Sequence, residues 1–425
     1  MSFDVAIIGA GPAGLALSIQ LSKLGKKIVL IDKDEKEKIG HHFGAGVIKL
    51  DAFMSTGIKR SSGEELLGFI DNFNVYTPTG KNFKNTTYSG IVVDRNLFTK
   101  RLLAMAEEQG VILKDHTEIK AYNLENNFIK GVTTTSDEVI EAKIVVDASG
   151  FGRKLINTLP DSFKIEKEIK RKDIARGFVY VFDKPEKNGT LTAYLAINEG
   201  YVWKTPVEVG YGSINPDANL KDTLDNFIKQ HFKLENQVAK EYSGSLPVRQ
   251  NIYNMVGNGL LLCGDNACMT NPMEGTGIAT GMIGSKIASE TINKCLEKND
   301  FSQNALWEFN LNYNKTQGAN LAYMDMLRRG LIGLSPDDMD FAFEKDIITS
   351  KDVYDSITGA IANVSSLDKA QRALRGLRRP GILLRMENCM NKSKELKNHY
   401  INYPDNISKL DSWISKLNDL NNSFT

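Results

Sequence analysis

Phe3-Asp4-Val5-Ala6-Ile7-Ile8-Gly9-Ala10-Gly11-Pro12-Ala13-Gly14 carries an apolar run into three spaced glycines and then into a helical pattern. A continuous apolar run suits a strand covered on both faces. Gly9 permits a tight turn, Gly11 lets backbone approach a pyrophosphate, and Gly14 lets the next helix pack close on the strand. That helix, with Pro12 and Ala13 in its first turn, would face phosphates with unpaired N–H groups and the positive end of its dipole. The stretch predicts a seat for a dinucleotide.

The flanks strengthen the reading. Leu17, Leu21 and Leu24 recur at helical spacing, Gly25 stands where a C-terminal cap belongs, and Lys27-Ile28-Val29-Leu30-Ile31-Asp32 reads as a second parallel strand. Asp32 ends that strand about twenty residues past the glycines, where an acid accepts hydrogen bonds from a ribose and favours FAD or NAD over NADP. Lys33 follows it, and the glycine-rich loop containing Gly44, Ala45 and Gly46 is expected near the cofactor. His41 and His42 do not suggest a metal, because sequence neighbours rarely point at one ion and no carboxylate or cysteine stands nearby.

With 425 residues, 41% of them hydrophobic and 25% charged, the chain is ordinary globular material with room for two or three structural units, which excludes disordered and fibrous classes. A net charge of +1 gives no general reason to bind nucleic acid. Cys263, Cys268, Cys295 and Cys389 read as reduced thiols of a cytoplasmic protein. No apolar run is long enough to span a membrane, so a protein acting on lipid would sit at the inner membrane surface.

Further along, residues 69–93 read as antiparallel strands inserted into the nucleotide domain, and Asp94 caps a helix whose first residue, Arg95, opposes the helix dipole. The buried strand 142–147 ends in Asp147-Ala148-Ser149-Gly150, at the carboxyl edge where ligands bind in doubly wound sheets. Residues 177–212 alternate as antiparallel strands, and 256–265 form a last strand ending in Asp265, followed by Asn271-Pro272-Met273-Glu274-Gly275-Thr276-Gly277-Ile278 and a helix of small residues. The expected organisation is an α/β Rossmann-type nucleotide domain at 1–175 and 245–300, an antiparallel substrate domain at 176–244, and a helical region at 301–425. Arg372, Arg375, Arg378 and Arg379 precede the apolar run after Pro380, a pattern suited to a phosphate head group, an anionic membrane surface or a solvated helix face.

The ordered set of Gly9 to Gly14, Asp94-Arg95, Val146 to Gly150, Gly264-Asp265 and Asn271 to Ile278 resembles the flavoproteins related to p-hydroxybenzoate hydroxylase over residues 1–290. The resemblance implies bound FAD. Gly9, Gly11 and Gly14 would meet the pyrophosphate, Asp32 the ribose, Arg95 the phosphate or ribityl region and Asp265 the ribityl side, with Pro272 and Gly275 to Ile278 at the isoalloxazine. Asn271-Pro272 and Tyr201-Val202-Trp203-Lys204-Thr205-Pro206 further resemble the geranylgeranyl reductase family, whose Tyr-x-Trp-x-Phe-Pro segment lines a prenyl channel. Thr205 replaces the phenylalanine of that pattern, and His42 or Phe43 takes the place of a frequent flavin-side cysteine.

The implied activity is saturation of carbon–carbon double bonds in geranylgeranyl chains, carried on a diphosphate or an archaeal-type glycerophospholipid. Tyr201, Trp203 and Pro206 would line the substrate, and Tyr201 is a candidate proton donor. Arg378 and Arg379 are candidate head-group anchors. No second glycine fingerprint follows residue 150, which leaves NADPH or a ferredoxin as electron donor. An FAD-dependent aromatic hydroxylase and a flavin-carrying lipid- or partner-binding protein without turnover share the same cofactor frame.

Overall fold

The apolar run Phe3–Ile8 is the central strand of a parallel sheet in the computed structural model, which describes residues 2–40, 46–183, 188–232, 238–361 and 365–422. Val5, Ala6 and Ile7 are fully buried, and the strand is flanked on one edge by Ile28–Ile31 and on the other by Val139–Asp147, with Val5 opposite Ile28 and Ile144. Ile112–Lys114 and Leu260–Leu262 extend the sheet outward. Ile119–Glu125 and Phe128–Thr134 form a hairpin attached to Val139–Asp147. Helix Pro12–Ser22 lies against this sheet, and Ile278–Lys298 packs beside it, where the Ser285 hydroxyl donates to the Ala13 carbonyl at 2.7 Å.

Glycine geometry explains the turn between strand and helix. Gly9 has φ +98, and a Cβ there would lie 2.4 Å from the Ala148 carbonyl oxygen. A Cβ on Gly14 would lie 1.9 Å from the Gly9 carbonyl oxygen, so only glycine lets the helix approach this closely.

The second sheet runs in the order Val238–Pro247, Ile174–Phe182, Glu208–Ser213, Gly200–Lys204, Asn188–Ile197, Leu66–Tyr76, Phe83–Val93, Gly46–Lys49. Its neighbours pair antiparallel except at one parallel join between Asn188–Ile197 and Leu66–Tyr76. Residues 46–49, 66–76 and 83–93 are strands of this sheet, while Ile48, Phe53, Ile91 and Val93 also pack into the core of the nucleotide sheet. Phe83–Val93 returns through Asp94, whose carboxylate accepts from the N–H groups of Asn96 and Leu97 at 2.9 and 3.0 Å and starts helix Arg95–Glu108.

The segment expected as one strand at 256–265 is a short hairpin, Val256–Gly257 and Leu260–Leu262, because Gly259 at φ +71 turns the chain. The described residues beyond 301 are mainly helical, and helices Ala319–Ile332, Pro336–Glu344 and Ser350–Thr358 contribute side chains to an apolar cluster with the second sheet. Among the described residues no helix is long and apolar enough to cross a membrane.

Candidate functional site

A cavity of about 830 Å³ starts at the first glycine turn and ends among the C-terminal helices, near the upper size of small-molecule sites. Its nucleotide end is bordered by Gly9, Gly11, Pro12, Ala13, Asp32 and Lys33. A Cβ on Gly11 would meet nothing within 4 Å, so that backbone faces open space. Helix Pro12–Ser22 has no side-chain cap, which leaves its first N–H groups for an incoming anion. Asp32 accepts the Ala10 N–H at 2.7 Å on one oxygen and the Asp34 N–H at 2.9 Å on the other, and each oxygen retains a lone pair for a ribose hydroxyl. Lys33 is largely exposed at the rim and pairs with Asp34 at 2.9 Å. These residues fit the adenosine diphosphate part of FAD.

Gly46, Arg95, Gly150, Asp265, Pro272, Gly275, Thr276, Gly277 and Ile278 line the middle of the cavity. Burial pulls the Arg95 guanidinium below its ordinary range, opposed by the charges of Asp265 and Glu208. Burial pushes the Asp265 carboxyl up, while the Thr270 hydroxyl, donating at 2.8 Å, and the Arg95 charge pull it down. Gly275, at φ +67, starts the turn that closes with the Asn271 N–H donating to the Thr276 carbonyl at 2.9 Å, and a Cβ on it would stand 3.0 Å from the Tyr201 hydroxyl. The Tyr201 hydroxyl donates to the Glu274 carbonyl at 2.6 Å.

Three expected contacts are absent from the cavity wall, and two lie outside the described residues. Asp147 is buried beneath it, its carboxylate accepting from the Tyr122 hydroxyl and from the Ser149 N–H, so it shapes the turn that presents Ala148, Ser149 and Gly150. Pro206 packs on the neighbouring strand, where a Cβ on Gly189 would lie 2.7 Å from its ring. Gly44 and Ala45, like His41 to Phe43, fall outside the described residues. Gly14 lies behind the wall and acts through the close packing described above.

Tyr201 and Trp203 do line the cavity, with ring centres 5.7 Å apart. Trp203 lies across Gly210, where a Cβ would approach its ring to 2.2 Å, and its indole N–H donates to Glu208 at 3.1 Å. Thr205 is buried, and its hydroxyl accepts the N–H groups of Val207 and Glu208 at 3.2 Å each, a turn-capping role that phenylalanine lacks. Beyond the aromatic pair the cavity becomes an apolar chamber between strand residues such as Phe73, Val75 and Leu191 on one side and, on the other, Met339 and Phe343 of helix Pro336–Glu344 with Leu334 of the loop before it. Burial raises Cys389 on the chamber wall to about 11 and Cys268 to about 12, so both thiols stay protonated at neutral pH.

The arginines at the far end differ from those expected. Arg379 pairs with Asp338 at 2.6 Å and lies over the Phe341 ring, and Arg378 is exposed and away from the wall. Arg372 and Arg385 line the cavity instead, Arg372 held by Asp352 at 2.8 Å.

Several cavity residues were missed by the sequence reading. Glu274 lines the wall with a side chain 5% exposed, paired with Lys49 at 2.6 Å and accepting from the hydroxyls of Tyr88 and Thr276 at 3.3 and 3.2 Å. Its signal was a lone carboxylate inside a glycine-rich apolar loop. Arg153, at φ +46, donates to the carbonyls of Asn266 and Glu166 and carried no local signal.

A family model described as tryptophan halogenase matches residues 64–323, and one described as an FAD binding domain matches 4–63. The digeranylgeranylglycerophospholipid reductase of Sulfolobus acidocaldarius is 28% identical, and the match covers 100% of this chain and 98% of that protein. A solved geranylgeranyl bacteriochlorophyll reductase-like protein from Thermoplasma acidophilum is similar with TM-score 0.76 at 21% identity, covering 91% of this chain and 99% of that one. The flavin-dependent brominase Bmp2 is similar with TM-score 0.65 at 17% identity, covering 90% and 99%.

Proposed function

The chain belongs to the tryptophan halogenase family, and from that premise we propose that it is a reductase saturating carbon–carbon double bonds of geranylgeranyl chains on a glycerophospholipid or diphosphate. It is an FAD-dependent oxidoreductase. The observation that carries the reductase reading is where similarity extends. The halogenase model stops at residue 323, whereas the Sulfolobus reductase matches the whole chain, including the C-terminal segment that closes the apolar chamber with Leu334, Met339 and Phe343.

Bound FAD, once reduced, supplies the hydride for one alkene carbon. The protein's own task is positional, because an isolated alkene offers no polar handle. Tyr201 and Trp203 bring the chain past the flavin seat, the apolar chamber excludes water, and Arg372 with Arg385 are suited to an anionic head group. The lack of a second dinucleotide fingerprint supports a donor that docks transiently, NADPH or a ferredoxin.

Contact with the inner membrane surface is part of the same proposal. Leu367, Leu374, Leu377 and Leu384 are each about 70% exposed within a stretch that also exposes Lys369, Arg375 and Arg378. Apolar side chains among basic ones suit an anionic lipid surface, and Arg372 and Arg385 of the same helices reach the cavity.

The test is to purify the protein, record its visible spectrum, reduce it anaerobically with dithionite and add digeranylgeranylglycerophospholipid. Reoxidation of the flavin, with a product heavier by two hydrogens per bond, is expected. A reduced flavin that lipid leaves untouched refutes the reading. The halogenase family match supports a second reading, oxygen-dependent chemistry on an aromatic substrate, which stops without oxygen.

A further inference from the structure

Glu274 is an acid placed where packing alone gives it no purpose. Its carboxylate is buried on the cavity wall, one residue from the glycines expected under the flavin and hydrogen-bonded through its own carbonyl to Tyr201. Lys49 approaches from the end of strand Gly46–Lys49, with its ammonium 2.6 Å from Glu274, 2.7 Å from the Ile357 carbonyl and over the Tyr88 ring. The Lys49 side chain is 23% exposed, so the pair joins solvent to the buried wall.

We propose that Glu274 and Lys49 form the proton-supplying pair of the alkene reduction, an assignment that rests on the reductase reading. Saturating one double bond requires a hydride at one carbon, from reduced flavin, and a proton at the other, leaving the flavin oxidised. Glu274 takes the proton that Lys49 holds and delivers it. The O–H bond breaks as the new C–H bond forms, and Lys49, left as the amine, regains a proton from water at its exposed flank. Tyr88 and Thr276 hold the second carboxylate oxygen and fix the rotamer.

The neighbouring groups are otherwise engaged. Tyr201 donates its proton to the Glu274 carbonyl, and burial holds its phenol far above the usual range. Glu208 accepts the Trp203 indole N–H, and Asp265 accepts the Thr270 hydroxyl. Tyr201 therefore positions the loop that carries Glu274.

The test compares Glu274→Gln, Glu274→Asp and Lys49→Met with wild type. Each apoprotein is titrated with FAD, and each dithionite-reduced holoprotein is mixed anaerobically with digeranylgeranylglycerophospholipid while flavin reoxidation is followed. General acid catalysis predicts that Glu274→Gln reoxidises at least about 100-fold more slowly, Lys49→Met about tenfold more slowly, and Glu274→Asp between Glu274→Gln and wild type. FAD affinity should stay within about twofold in all three, since the pair does not hold the cofactor. Wild-type reoxidation in Glu274→Gln overturns the pair, and so does a loss of FAD affinity that accounts for the slower rate. A wild-type protein inert to the lipid overturns the reductase reading and the pair with it.

Discussion

Gly11 and Gly14 are three residues apart in one turn, yet the structure assigns alanine at each a different consequence. At Gly14 the new methyl would stand 1.9 Å from the Gly9 carbonyl oxygen and 3.3 Å from Ile7 Cγ2, both part of the central strand and its turn. The first contact is about 1.5 Å inside ordinary van der Waals distance, and a backbone oxygen held by the sheet cannot swing aside. The helix must retreat from the strand, so Gly14→Ala should destabilise even the apoprotein by about 1–3 kcal/mol, the usual range for overpacking. At Gly11 the backbone is extended, with φ −72 and ψ 176, and the methyl meets nothing. Gly11→Ala should therefore leave apoprotein stability within about 0.5 kcal/mol of wild type. The methyl instead occupies the space where a pyrophosphate would meet the helix N-terminus. Loss of one or two charge-assisted hydrogen bonds, about 1.5–3 kcal/mol, weakens FAD by about ten- to a hundredfold. Urea unfolding of the flavin-free proteins and fluorescence titration with FAD separate the two effects. Equal FAD affinity in Gly11→Ala and wild type would refute the placement of the phosphates at this turn, and unchanged unfolding of Gly14→Ala would refute the close packing.

Other expectations follow from single contacts. Asp32→Ala removes the acceptor of the Ala10 and Asp34 N–H groups, and stability should fall by about 1–3 kcal/mol alongside FAD affinity, read by the same two assays. Tyr201→Phe leaves the Glu274 carbonyl without its 2.6 Å donor, and differential scanning calorimetry should register a loss of about 1–2 kcal/mol. Burial alone would push the Asp325 carboxyl up, but Arg329 and Arg328, at 2.8 and 2.9 Å, override it and hold it at about 2. Because this folded-state value lies below the ordinary carboxyl value of 3.8, the stabilisation is present above about pH 4 and is lost as pH falls towards 2. Asp325→Asn should cost about 3–5 kcal/mol at neutral pH and flatten that stretch of the acid-unfolding curve; an unchanged curve would refute the pairing. Replacing Leu374 and Leu377 together with glutamate should abolish co-sedimentation with anionic phospholipid vesicles, and undiminished binding would remove this face from the membrane proposal.

What the sequence made legible was local. The run Phe3–Ile8, the glycines after it and the Asp94 cap are short-range patterns, in which residue identity and backbone conformation are tied within one turn. The parallel join between residues 66–76 and 188–197 is different in kind. It links strands more than a hundred positions apart, neither of which carries a mark of its partner, so residues 69–93 read as an insertion in the domain they neighbour in sequence. Side-chain direction was equally hidden. Asp147 ends the expected strand at the expected edge, but the Tyr122 hydroxyl, brought up by a separate hairpin, turns its carboxylate away from the cavity. The arginine pattern did not reveal that Asp338 would engage Arg379 while Arg372 and Arg385 reached the wall. Glu274 combines both situations. Its position between Pro272 and Gly275 is written in a motif, but its chemistry depends on Lys49, 225 residues away and brought opposite it by the second sheet. One loop thus lines the cavity with glycine backbone, the proposed flavin seat, and with a paired acid. The two roles can be separated by substitution because backbone performs one and a side chain the other.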